Sequence, residues 1–250
     1  MTLPAPPTLP DDAALFLDFD GTLVELAQTP DAVKTAPNLL AMLGALADRL
    51  EGRLAIVSGR SVRELREQFG IGKLAIAGSH GQEISLVPGQ IAAPERDPGI
   101  DRAEAELRTF AQSRPGLLVE SKPFGVGLHY RQANGDADAD ACRAIADRLA
   151  EKYGLAIQHG KMVAESRGHI DKDMPADKGG AIGAFMQKPP FKGAMPVFVG
   201  DDVTDEDGFK AVLETNGLAI LVGDRQPSRA EYGLANVAAV HRWLAAQLDR

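Results

Sequence analysis

LFLDFDGTL, residues 15–23, is an apolar run that stops at a pair of aspartates. It continues AALFL (13–17) without polar alternation, the pattern of a strand buried on both faces. Asp18 and Asp20 stand two positions apart, so an extended backbone turns both carboxylates the same way. Gly21 permits a sharp exit, and Thr22 supplies a hydroxyl. Open parallel sheets hold ligands beyond the carboxyl ends of their strands, and two carboxylates there make a cation site. Such a pair also caps ordinary turns, so the neighbouring strands must decide between the two readings.

Working outward, RLAIV (53–57), LAIA (74–77), PVFV (196–199) and LAILV (218–222) repeat the continuous apolar pattern. Helical patterns separate them. Leu39, Leu43, Leu46 and Leu50 make one stripe, Ser61 with Glu64 reads as a capping box, and further helices are predicted near 177–187 and 205–215. Alternating strands and helices predict an α/β fold with a doubly wound, mostly parallel Rossmann-like core. The rhythm breaks after EISLV (83–87), at the Pro- and Gly-rich PGQIAAPERDPG (88–99). A helix over 101–113, strands over 116–121 and 124–131, a helix over 138–152 and strands over 155–158 and 161–166 follow, with a tight turn predicted at His159-Gly160. Residues 88–172 are therefore expected to be an inserted α+β domain, an antiparallel sheet plus two helices, within a core of 1–87 and 173–250.

The other strand ends carry complementary groups. RLAIV stops at Ser58-Gly59-Arg60, a hydroxyl and backbone amides at a helix start, suited to an oxyanion, although a serine there is commonly a plain cap. LAIA runs into Gly78-Ser79-His80-Gly81, where a lone histidine is by default a packed loop residue. PVFV ends in GDDVTDE (200–206), and Asp201, Asp202 and Asp205 near Asp18 and Asp20 would repel one another without a cation. ADKGGAI (176–182) puts Lys178 at a helix start, against the helix dipole, which makes it a candidate for a phosphate oxygen. Each motif alone has an ordinary structural role. Their convergence on one sheet edge points to metal-assisted phosphoryl chemistry.

Bulk properties narrow the class. Apolar residues make up 44% of 250, enough for a sizeable core, and the net charge of −8 disfavours nucleic acid or an anionic membrane as partner. The single cysteine, Cys142, excludes an intrachain disulfide and fits a reducing compartment. The opening MTLPAPPTLPDD lacks a basic start and an apolar stretch, and reads as disordered rather than as a secretory signal. A cytoplasmic protein with no obligate protein partner is expected.

DFDGTL (18–23), VSGR (57–60), AGSHGQE (77–83), KPFGVGLHYR (122–131), GKMVAE (160–165), ADKGGAI and VGDDVTDE (199–206) together resemble the haloacid-dehalogenase-like superfamily, and within it the trehalose-6-phosphate phosphatases. The resemblance spans Asp12 to Leu244. It implies a phosphomonoester hydrolase in which Asp18 is the nucleophile and forms an aspartyl-phosphate, and Asp20 is the acid and then the base. Ser58 and Lys178 would hold phosphate oxygens. Mg²⁺ would be held by Asp18, the Asp20 carbonyl and Asp201, with Asp202 or Asp205 as ligand or outer support. Residues 88–172 would be a cap reading the sugar, and Gly59, Arg60, His80, Lys122, His129, Arg131, Lys161 and Glu165 would bind substrate. After Glu165 the chain departs from the family pattern at ESRGHIDKDMP (165–175), which leaves Arg167 and Lys172 without assigned roles. Sucrose-phosphate and mannosyl-phosphoglycerate phosphatases and phosphosugar mutases share the core motifs. A signalling receiver domain shares the acidic chemistry, but is about half this length and has no insertion.

Overall fold

The computed structural model describes residues 3–26, 35–133, 136–160, 162–168 and 177–248. The chain forms two compact units, Met1–Ala93 with Lys172–Arg250, and Pro94–Asp171.

The first unit is built on a seven-stranded sheet of β1 (Ala13–Leu17), β2 (Leu54–Val57), β3 (Ala75–Gly78), β4 (Glu83–Ser85), β9 (Met195–Gly200), β10 (Leu218–Val222) and β11 (Tyr232–Leu234), in the order β11-β10-β9-β1-β2-β3-β4. All neighbours run parallel except β4, which lies antiparallel on β3. Every residue of β1 and β2 is buried, as their unbroken apolar runs require. Alternate side chains serve two cores. Leu15, Leu17, Leu54, Ile56, Val197 and Val199 pack with α1 (Pro37–Arg49) and α7 (Val237–Ala246) through Leu39, Leu43, Leu46, Val240 and Leu244. Phe16, Ala55, Val57, Phe198 and Leu221 face α5 (Lys178–Met186) and α6 (Glu206–Leu213) through Ile182, Phe185, Phe209 and Val212. Phe16 stacks on Phe185 and Phe191 at 5.9 and 5.4 Å between centroids. Burying one such ring contributes about 1.5–3 kcal/mol, so this face is the stiff floor beneath β1. The sheet order reverses at β1, flanked by β2 and β9, and there the carboxyl ends open a crevice.

The capping box forms as expected. Ser61 accepts from the Glu64 amide, and the Glu64 carboxylate accepts from the Ser61 amide, at the start of α2 (Val62–Glu67). The amino-terminal segment, expected to be disordered, is instead fastened. Pro4 and Pro7 carbonyls accept from Gly233 N and Trp243 Nε1, and the Leu9 amide donates to Gln247 Oε1 at 2.9 Å. Prolines leave carbonyls free to accept, and here other elements supply the donors.

The second unit is a four-stranded antiparallel sheet of β5 (Leu118–Lys122), β6 (Gly125–His129), β7 (Ala156–Gly160) and β8 (Val163–Arg167), in the order β5-β6-β8-β7. Val119, Val126, Leu128 and Ala164 pack against α3 (Pro98–Gln112) and α4 (Asp136–Tyr153) through Ile100, Leu107, Cys142 and Leu149. The turn predicted at His159-Gly160 falls later. Both residues are in β7, Gly160 pairs with Val163, and the turn residue Met162 has φ 65°. Among the described residues, no helix is long and apolar enough to cross a membrane.

Candidate active site

The crevice at the carboxyl ends of β1, β2 and β9 gathers the first unit's predicted residues. Asp18 follows β1 directly, its amide bonded to the Val199 carbonyl of β9 at 2.9 Å. Its side chain is only 5% exposed, and Asp205 is wholly buried. Lys178, the first residue of α5, reaches both: its Nζ lies 2.7 Å from Asp18 Oδ1 and 2.6 Å from Asp205 Oδ1. Asp177 caps that helix by accepting from the Gly180 amide, which leaves Lys178 aimed into the crevice. Burial alone would push Lys178 down, but Asp18 and then Asp205 outweigh it and push it up.

Asp18, Asp201 and Asp205 offer oxygens within 4.8 Å of one another. Three carboxylates against one ammonium leave an excess of negative charge. Burial, Asp205 and Asp201 accordingly hold Asp18 well above the usual carboxylate range, against the pull of Lys178. Burial, Asp205 and Asp202 push Asp201 up to about 6. An all-oxygen donor set with unbalanced charge fits a hard divalent cation. The two parts of Asp205 are already engaged. Its Oδ2 accepts from the amides of Asp201 and Asp202 at 2.9 Å each, and its Oδ1 accepts from Lys178. Asp205 therefore shapes the loop, whereas Asp201 carries a freer carboxylate, met by Thr22 Oγ1 at 3.4 Å. Asp202 is exposed and caps the turn Val203–Asp205. Gly21, at φ 79°, lies so close that a Cβ would sit 2.2 Å from Asp201 Oδ2.

Ser58 follows β2 and is 1% exposed. Its Oγ accepts from the Arg60 amide at 3.1 Å, which leaves its own hydrogen to donate. The next loop braces this one: Ser79 N donates to the Arg60 carbonyl, and His80 N to the Ser58 carbonyl. To do so, Ser79, His80 and Gly81 all take positive φ (50°, 57° and 104°). Gly59 faces the His80 ring, where a Cβ would come within 2.7 Å. The buried Glu83 ties the brace by accepting from Val62 N and Ser79 Oγ. Its place in AGSHGQE carried no periodic signal that would have marked it.

Two of the predicted residues pair with each other. Asp20, expected to point with Asp18, gives both carboxylate oxygens to Arg60: Nε–Oδ2 is 2.6 Å and Nη2–Oδ1 is 2.8 Å. Arg60, expected to touch substrate, is the partner of Asp20 here. Arg225 was not anticipated. It donates to the carbonyls of Asp201 and Asp202 at 3.3 Å each and pairs with Glu206. It lies in an exposed polar loop, where no spacing distinguishes it from any surface arginine.

In the second unit, alternation puts Glu120 and Lys122 of β5, His129 of β6 and Glu165 and Arg167 of β8 on the sheet face away from α3 and α4. Lys122 and Arg167 both pair with Glu165, and His129 pairs with Glu120 at 2.8 Å. Burial would raise Glu165, but Lys122 and Arg167 outweigh it and hold the carboxyl low. Gly125 and Gly127 leave the middle of this face without side chains. Arg131 is exposed in the turn after β6. Lys161 and Lys172 lie outside the described residues.

Residues 16–238 match the family model described as trehalose-phosphatase. A curated trehalose-6-phosphate phosphatase of Escherichia coli is 38% identical over 240 residues, covering 95% of this chain and 87% of the relative. Among solved structures, a trehalose-6-phosphate phosphatase related protein superposes with TM-score 0.76 at 26% identity, over 94% of this chain and 96% of the other. The carboxy-terminal domain of a Candida albicans trehalose-6-phosphate phosphatase superposes at 0.75 with 20% identity, over 96% and 93%, which speaks for the fold alone.

Proposed function

The chain belongs to the trehalose-phosphatase family, and from that premise we propose how its own residues divide the work. It is a phosphomonoester hydrolase of haloacid-dehalogenase-like fold that converts trehalose 6-phosphate to trehalose and phosphate. The observation that carries the assignment of roles is the buried Lys178 bridging Asp18 and Asp205 beside Asp201.

Asp18 attacks phosphorus, and the sugar oxygen leaves with a proton from Asp20. Water then attacks the aspartyl-phosphate and gives its proton to Asp20, and Asp18 departs as carboxylate. The Ser58 hydroxyl and the Lys178 ammonium donate to phosphoryl oxygens as charge builds on them. Mg²⁺ would be held by Asp18, Asp201 and the Asp20 carbonyl, with Asp205 as outer support, and supplies charge neutralisation for the phosphoryl group. The second unit serves as the sugar-reading cap, its Lys122, His129, Arg131, Lys161 and Glu165 meeting hydroxyls. The single buried Cys142 suits the reducing cytoplasm.

A phosphate-release screen over disaccharide and monosaccharide phosphates, with and without Mg²⁺, tests this. Trehalose 6-phosphate should give the highest kcat/KM, and free phosphate separates a hydrolase from a mutase. Lys122→Ala and Glu165→Ala should each lower kcat/KM for it roughly tenfold, about 1.4 kcal/mol, while sparing a small aryl phosphate. Equal losses on both esters would refute the cap assignment.

A further inference from the structure

Asp20 is held by a side chain that is itself held. The Arg60 guanidinium lies 4.6 Å from the Phe69 ring centroid and 5.9 Å from that of Phe19, and its side chain is 10% exposed. Its backbone is fixed at both ends, the amide on Ser58 Oγ and the carbonyl under Ser79 N. Two aromatic faces and two backbone bonds leave the guanidinium little freedom, so its fork sets the plane of the Asp20 carboxylate. The fork takes one lone pair from each oxygen. A second lone pair on each remains, which is what a base needs.

We propose that Arg60 is a positioning residue for the second half-reaction, aiming the free lone pairs of Asp20 at the attacking water so that Asp20 takes its proton. In that step the water oxygen bonds to phosphorus, the bond from phosphorus to the Asp18 oxygen breaks, and the water proton passes to Asp20. With an aryl ester such as p-nitrophenyl phosphate the phenolate leaves without needing a proton, so the first half-reaction of that substrate does not depend on where Asp20 is held. Loss of Arg60 therefore slows dephosphorylation more than phosphorylation. This rests on the acid–base role given to Asp20 above.

Stopped-flow assays with p-nitrophenyl phosphate and Mg²⁺ separate the two steps. Arg60→Met should release about one equivalent of nitrophenolate in a burst, followed by a steady rate roughly tenfold or more below wild type. Arg60→Lys, which keeps charge and fold but loses the fork, should fall between them. Arg60→Met combined with Asp20→Asn should be no slower than Asp20→Asn alone, because the arginine acts only through the aspartate. Steady rates within about twofold of wild type and no burst in both Arg60 variants would overturn the proposal, as would losses that multiply in the double variant. Wild-type dephosphorylation in Asp20→Asn would instead overturn the acid–base reading itself.

Discussion

Replacing Lys178 by Met should destabilise the first unit strongly, and in a pH-dependent way. Methionine fills a similar volume, so the loss is chiefly electrostatic. The ammonium sits 2.7 Å from a carboxylate 5% exposed and 2.6 Å from one fully buried. Removing one partner of a buried ion pair costs about 3–5 kcal/mol when the other charge is left stranded. Asp18 already lies well above the usual range and will rise further, so it can escape part of that cost by taking up a proton. Escape becomes harder by about 1.4 kcal/mol for each pH unit above its pKa. A loss of about 3 kcal/mol near pH 7.5 is therefore expected, shrinking toward pH 5. At roughly 2–4 °C per kcal/mol for a domain of this size, Tm should fall by about 6–12 °C. The assay is calorimetry of metal-free protein from pH 5 to 8, following the transition of the first unit. Mg²⁺ should raise the variant's Tm more than the wild type's, because it replaces the missing positive charge. A Tm within about 1 °C of wild type at pH 7.5, or a loss that does not change with pH, would refute the reasoning.

Asp18→Asn should abolish phosphate release, while the Tm without metal stays level or rises as carboxylate repulsion falls; retained turnover would move the nucleophile elsewhere. Asp201 is pushed up to about 6, so the proton it holds in the fold stabilises the protein below about pH 4, and that contribution is lost as pH rises through 6. Metal-free wild type should accordingly lose stability relative to Asp201→Asn between those values, by about 1–1.5 kcal/mol after allowing for the group's partial exposure, with no further change above. Urea titrations of both proteins across that range check the sign. Gly21→Ala should raise the Mg²⁺ concentration for half-maximal Tm shift roughly tenfold, because its Cβ has no room beside Asp201 and φ 79° strains any side chain.

The sheet was legible because parallel strands buried on both faces must be apolar throughout, as AALFL and LAILV are. β11 escaped notice because Tyr232–Leu234 is short and half-exposed, and its stability comes from pairing with β10 rather than from its own pattern. The acidic crevice was legible because Asp18, Asp201, Asp205 and Lys178 each follow a strand or open a helix, which fixes their edge of the sheet. What residue order cannot give is how charges pair across loops. Arg60 beside Ser58 reads as an anion ligand, and nothing in that spacing reveals its pairing with Asp20. The amino-terminal segment misled for a related reason, since the donors that hold its proline carbonyls come from Gly233 and Trp243.

The place of β1 in the sheet sets an order of events during synthesis. Its residue Ala13 must pair with Met195, and β9 is made only after all of residues 94–171. At about 5–20 residues per second, the ribosome leaves this strand without one of its two partners for roughly ten to forty seconds. The inserted unit draws its sheet and both covering helices from its own continuous segment, so it can close first. Such long-range pairing is slow and exposes apolar edges meanwhile. Nascent chains halted before β9 should therefore hold a folded, protease-resistant inserted unit beside an unfinished parent sheet that chaperones recognise.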